Sequence, residues 1–341
     1  MKLTCAFLLL SSIIFSQDFK IAFGSCMHQE KSLSILDVVS DSSPDYFVLL
    51  GDNIYGDTRI VDTLRFKYQQ LAENTFYKNL KSKTKILATW DDHDYGENDA
   101  GKYYSLKNES KQLFLAFFEE PIESKRYTHE GIYTSYIFKK GFKRIQLILL
   151  DNRTFRSNLK HFENGMTKDT SFHYDLENVP IESGDSTLLG EEQWNWLEIE
   201  LKRKADIRII ASSTQFGVSY NGYESWANFP RQQEKMLQLI QKTKANGVIF
   251  ISGDVHYAEL SKLNNCLTYP IYDLTASGLT QSWHFAAPNK NRIEGPVMEN
   301  HFGMLDFNFR KKTIQLQIID RDKKTRVSYP LKWKDLKFKK D

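Results

Sequence analysis

Cysteine is scarce: three residues in 341, at Cys5, Cys26 and Cys266. That excludes a small scaffold held together by disulfides. With 8 prolines and 17 glycines, collagen-like repetition is also excluded. An excess of one charge is missing too, since 46 Lys+Arg against 43 Asp+Glu leaves +3. Such a balance carries no polyelectrolyte signature. Nucleic acid is not the expected partner, and any charge-driven function must be local. Beyond the N-terminus no apolar run reaches the roughly 18 residues of a membrane span, so no stable membrane insertion is expected. What is present is globular material: 41% hydrophobic, 26% charged and 13% aromatic residues. The length can bury a real core, as one large α/β domain or two smaller ones.

Lys2 is followed by Leu3–Phe15, almost wholly apolar or small. This stretch is too short to span a bilayer comfortably, and it reads as a secretory signal over residues 1–16, ending at Ser16. The other reading is a buried N-terminal strand. Export would place residues 17–341 in the periplasm, on the cell surface or outside the cell. Loss of Cys5 would leave Cys26 and Cys266, as one disulfide or two thiols.

Six apolar segments read as strands: Phe19–Phe23, Tyr46–Leu50, Lys85–Trp90, Ile145–Leu150, Arg208–Ala211 and Val248–Ile251. Continuous apolar runs suit strands buried on both faces. Helical spacing recurs between them at Ser32–Val39, Leu64–Leu71, Lys111–Phe118, Glu191–Arg203 and Gln232–Lys244. Alternation of strand and helix argues for α/β layers. Leu305–Phe309, Thr313–Ile319 and Arg326–Leu331 alternate like antiparallel strands, which makes the sheets mixed. Asn152–Leu189 shows little periodicity; a loop of that length is usually functional.

Chemistry concentrates where these strands end. Cys26, Asp52, Asp91-Asp92-His93-Asp94, Asp151 and Asp254-Val-His256 each follow a predicted strand. Open α/β sheets bind ligands at that edge. Singly, each residue has a structural explanation. An Asp after a strand is usually a turn former or cap, and a buried Cys usually a small hydrophobe. Tyr55 alone would be packing, and His256 alone a core or surface histidine. Five strand ends together reverse this. One carboxylate, Asp52, can bridge two metals while Tyr55 binds one of them. Carboxylates this dense repel one another unless cations neutralise them. Two metals about 3.5–4 Å apart would clamp the oxygens of a displacement at phosphorus. His161, His173 and His301 lack such a context and are read as structural.

Longer segments carry a resemblance. They are Phe23-Gly-Ser-Cys26, Gly51-Asp-Asn-Ile-Tyr-Gly-Asp57, Thr89-Trp-Asp-Asp-His-Asp-Tyr-Gly96 and Leu150-Asp-Asn-Arg153. Leu189–Leu197, Ser225–Arg231, Ser252–Leu260 and Asn300-His-Phe-Gly303 continue the series. In this order the sequence resembles the PhoD-like alkaline phosphatases of the calcineurin-like metallophosphoesterase superfamily. The resemblance implies a four-layer α/β/β/α sandwich with two mixed sheets and a site holding iron with calcium. It implies Cys26 and Tyr55 as ligands of Fe³⁺, Asp52 as the bridge, and Asp92, Asp254 and His256 completing the shell with Ca²⁺. Asp91, Asn98 and Gln215 are further candidate ligands. His93 would assist the leaving group and Arg153 would clamp phosphate, as a guanidinium suits. Larger members carry a β-rich domain ahead of the catalytic one, expected to be absent here because Gly24 follows the leader so closely. No Arg-Arg pair marks a twin-arginine signal.

The expected function is an exported metal-dependent phosphoesterase, acting on small mono- or diesters by attack of a metal-bound hydroxide. The alternatives are a non-catalytic binding module on the same fold and an iron redox enzyme. Iron plus a second cation favours hydrolysis, iron alone redox, and no metal binding.

Overall fold

The computed structural model describes residues 18–162, 167–168, 175–264 and 266–339. The signal expected over residues 1–16 and His173 lie outside them. All six predicted core strands form. One sheet has the order Thr325–Lys332, Thr313–Asp320, His301–Asn308, Asp18–Gly24, Tyr46–Leu50, Lys85–Thr89. Its last three strands are parallel and the others antiparallel. The second sheet runs Arg292–Val297, Ala258–Leu263, Ile271–Ala276, Val248–Ser252, Ile207–Ser212, Lys143–Leu149, Thr134–Lys140. Its centre is parallel and its edges antiparallel. Both sheets are therefore mixed, as expected.

The layers follow from the two-residue period of a strand. Ile21, Phe23, Val48, Leu50 and Leu87 point one way, into a core shared with Leu147, Ile209 and Ile249 of the second sheet. Ala22, Phe47, Leu49 and Ala88 point the other way, against Leu36, Leu64, Leu80 and Phe114 of the outer helices. Trp194, Leu197, Met236 and Ile240 of the helices Gly190–Leu201 and Pro230–Thr243 cover the second sheet. Helix, sheet, sheet and helix thus stack in four layers, and the parallel strands of both sheets end on one side. Among the described residues no helix is long and apolar enough to cross a membrane.

The segment 152–189 is not a bare loop. Lys160–His161 pairs with Asn178–Val179, and Thr167–Lys168 with Asp175–Leu176. The backbone N–H groups of Glu177 and Asn178 both donate to the Gly222 carbonyl, so this excursion docks on the turn after the strand Ile207–Ser212.

Candidate metal centre

Each of the parallel strands must hand its chain to a loop within one or two residues. Gly51 does so at φ +110°, and a β-carbon there would sit 2.4 Å from the Asp91 β-carbon. The left-handed region then recurs at residues that disfavour it: Cys26 (φ 60°), Asp52 (49°), Asp254 (78°) and His256 (55°). Such backbone is held only where surrounding structure over-determines it, and it concentrates at functional sites. All four are predicted ligands.

Their side chains meet. Donor atoms of Cys26, Asp52 and His256 lie within 4.8 Å of one another, as do those of Asp52, Asp92 and His93, and of Asp91, Asp92 and Asp254. Asp52 belongs to the first two groups and Asp92 to the last two. The Cys26 thiol donates to Asp52 Oδ2 at 3.3 Å, and the Tyr55 hydroxyl donates to the same oxygen at 3.3 Å. Tyr55 Oη is also 3.1 Å from His256 Nε2. Asp52 Oδ1, Asp91 Oδ2 and Asp92 Oδ1 are buried without a hydrogen-bond partner among the described residues. Buried carboxylate oxygens are normally paired. These donors therefore fit cations. His93, Asp254 and His256 are the partly exposed members and face the opening.

The electrostatics say the same. Burial pushes the Asp52 and Asp254 carboxyls well above the usual range, and neighbouring carboxylates push them further. Burial and the Asp52 charge raise the Cys26 thiol likewise, so it is no free nucleophile. Burial raises the Tyr55 phenol too. Each would ionise readily only against a bound cation. Burial opposes charge on His93, but Asp52, Asp92 and Asp57 outweigh it and lift its pKa to about 10. Its Nδ1 lies 2.6 Å from Asp57 Oδ1. Burial also works against the Asp92 carboxylate, but Arg153 and His93 hold it below its ordinary range.

Several expectations need correction. Arg153 does not present a free guanidinium to a substrate. It is fully buried, ion-pairs with Asp91, and donates to Glu224 Oε2 at 2.7 Å. Its charge is spent on the protein's own acids. Asp151 is not a ligand either. It accepts from Trp90 Nε1, the Ile132, Arg153 and Thr154 amides and the Thr154 hydroxyl, all within 2.9 Å. Gln215 points away, donating to Glu259 Oε1 at 3.0 Å and Thr275 Oγ1 at 3.1 Å. Asn98 is exposed, and the neighbouring Asp99 amide donates to Asp92 Oδ2 at 2.7 Å. Cys26 and Cys266 are both free thiols, which removes the disulfide.

Sequence reasoning missed Glu224, which also pairs with Arg156 Nε at 3.0 Å, and Ser213, which donates to Asp91 at 2.6 Å. It missed Asp57 behind His93, although Asp57 ends a segment already singled out. It missed His28, stacked on Tyr55 with centroids 4.8 Å apart, and Trp283, edge-on to His256 at 5.4 Å.

Comparison with known proteins agrees with this geometry. A family model described as PhoD-like phosphatase matches residues 21–289. Alkaline phosphatase D of Bacillus subtilis (strain 168) is 23% identical over 253 residues, covering 67% of this chain and 41% of the relative. The chain therefore spans less than half of that relative's length. A solved structure of PhoD superposes with TM-score 0.70 at 17% identity, covering 92% of this chain and 68% of that one. GAP50, described as the anchor in the inner membrane complex of Plasmodium, superposes with TM-score 0.58 at 13% identity, covering 95% of this chain and 90% of that one. At these identities the two superpositions show a shared fold.

Proposed function

Because the chain belongs to the PhoD-like phosphatase family, we propose that it hydrolyses small phosphate esters at the cluster centred on Asp52. The observation that carries this reading is the sharing of Asp52 between two donor groups, with one of its buried oxygens unpaired. Cys26, Tyr55, His256 and Asp52 form a mixed sulfur, nitrogen and oxygen set, which suits a transition metal such as Fe³⁺. Asp91, Asp92 and Asp254, joined to Asp52 through Asp92, supply oxygens that suit a hard cation such as Ca²⁺. Bound there, the cations would neutralise the phosphoryl oxygens and make a water nucleophilic near neutral pH.

The protein's own groups do the rest. Asp57 engages His93 Nδ1, which leaves Nε2 to hand a proton to the departing alcohol oxygen. Burial opposes charge on the ring, while Asp52, Asp92 and Asp57 favour it. Arg153 acts one step back, fixing Asp91 and neutralising it. No side chain need be esterified. An exported location goes with this reading and rests on the apolar segment Leu3–Phe15; the mature N-terminus, read by mass spectrometry, checks it.

The test is phosphate release from a panel of mono- and diesters by protein purified with its native metals. Turnover that a chelator abolishes and the metals restore is expected. Metal-replete protein that hydrolyses no ester would overturn the reading.

A further inference from the structure

The segment from Ser277 to Phe285 is laced to both halves of the centre. Leu279 N donates to Ser25 O at 3.2 Å, and Thr280 N to Cys26 O at 3.1 Å. His28 N donates to Thr280 Oγ1 at 2.7 Å, and Trp283 N to His256 O at 3.1 Å. The segment that carries Trp283 is therefore tied to two predicted ligand loops, and Trp283 itself to the His256 loop. Its ring stands edge-on to His256, 5.4 Å between centroids and 76° between planes. Phe285 stacks on it at 5.2 Å and 20°, and Tyr223 tilts against it at 5.1 Å. All three rings are partly or wholly exposed, Phe285 to 37%.

Scattered exposed apolar residues need no explanation, but a contiguous group beside a charged centre does. This one places aromatic surface beside a cluster of carboxylates and imidazoles. We propose that Trp283 and Phe285, backed by Tyr223, form a stacking wall for the alcohol part of the substrate, and that the preferred esters carry an aryl or nucleobase ring. The proposal rests on the phosphoesterase reading. The phosphoryl group sits at Asp52 and His256, and the Trp283 ring lies within reach of whatever is esterified to it. Stacking tolerates many rings because it uses the π-face rather than a pattern of hydrogen bonds. Hence the wall selects a class of substrate and not one base.

Two measurements test this on the metal-replete protein. The first is kcat/KM for an aryl or nucleoside phosphate against glycerol 2-phosphate, in wild type, Trp283→Ala, Trp283→Phe and Phe285→Ala. Trp283→Ala should lose about tenfold on the ring-bearing ester, mainly through KM, at the lower end of what one stacked base contributes. Any loss on glycerol 2-phosphate should be at least about threefold smaller. Trp283→Phe should recover most of the loss, and Phe285→Ala should show a smaller one. Equal losses on both esters would mean that Trp283 only props His256, and would overturn the proposal. So would no loss on either. The second measurement is calorimetric binding of adenosine 5′-monophosphate against glycerol 2-phosphate. Wild type should bind the nucleotide about tenfold more tightly, and Trp283→Ala should not discriminate. If no ester is hydrolysed but this preference holds, the phosphoesterase reading falls and the wall stands. If binding shows no preference, the wall falls whatever the activity.

Discussion

Two clusters of buried acid lie side by side at the strand ends, and they are balanced in opposite ways. Around Arg153, the carboxylates of Asp91 and Glu224 face the guanidinium groups of Arg153 and Arg156, and every one of these side chains is at most 3% exposed. Around Asp52, the groups are Cys26, Tyr55, Asp92, Asp254 and two histidines, and among the described residues no arginine or lysine is ion-paired with Asp52. The contrast shows in the carboxyl groups. Burial raises Asp91 only to about 7, because Arg153 opposes it. Asp52 is driven well above its ordinary range, with only His93 opposing. One cluster is neutralised by the chain itself, while the other is arranged for charge brought from outside. Acid density alone thus does not mark a metal site; uncompensated acid density does.

The comparison breaks most visibly through activity. Asp52→Ala should lower kcat by at least ~10³, because both donor groups lose their common carboxylate, while the circular dichroism spectrum stays native. A folded, metal-replete variant within tenfold of wild type would remove Asp52 from the centre of the account. Arg153→Ala should do the reverse and damage the fold. It leaves Asp91 buried without its cation and takes from Glu224 one of its two, a loss of about 3–5 kcal/mol, readable by denaturant titration. A variant as stable as wild type would mean that the arginine pair is not the compensating device.

Proton linkage sharpens the contrast in metal-stripped protein. Burial raises Asp94 and Asp99 to about 8, and Asp91 to about 7. These folded-state values exceed the unfolded value of about 3.9. The folded chain then holds the extra protons between about pH 4 and pH 8, and stability falls as pH rises through that window. Stripped protein should be more stable at pH 6 than at pH 8, by several kcal/mol. Metal loading should flatten only the part of this slope that comes from Asp91, whose carboxylate meets those of Asp92 and Asp254. An identical slope in both forms would contradict a cation beside Asp91. The smallest effect concerns Cys26. Cys26→Ser should lower iron content and weaken visible absorption with the fold intact. Unchanged iron content and absorption in that variant would argue against a thiolate ligand.

Much of this was legible because the buried strands are continuous apolar runs that end abruptly in Gly-Ser-Cys26, Gly-Asp52 or Gly-Asp254. The layers and the ligand edge follow from that punctuation. Elements with buried polar faces were not legible. Ala258–Leu263 hides a strand because Glu259 and Ser261 are buried in a network with Gln215, Asn289 and Arg292. The helix Thr75–Lys83 buries only Tyr77 and Leu80, and its one signal is the Asn74 cap accepting from the Phe76 and Tyr77 amides. Arg153 was misread for a different reason. Its partners come from 62 and 71 residues away in sequence, so only the fold reveals that its charge is already used. Trp283 was silent because an isolated tryptophan in a polar stretch has no periodicity to betray it.

Asp52 would join two cation sites. Elemental analysis of wild type and Asp52→Ala, purified side by side without added metal, tests it most directly. Iron and a second cation are expected in wild type, and loss of both in the variant. Wild type without metal, or a variant that keeps both metals in full, would contradict it.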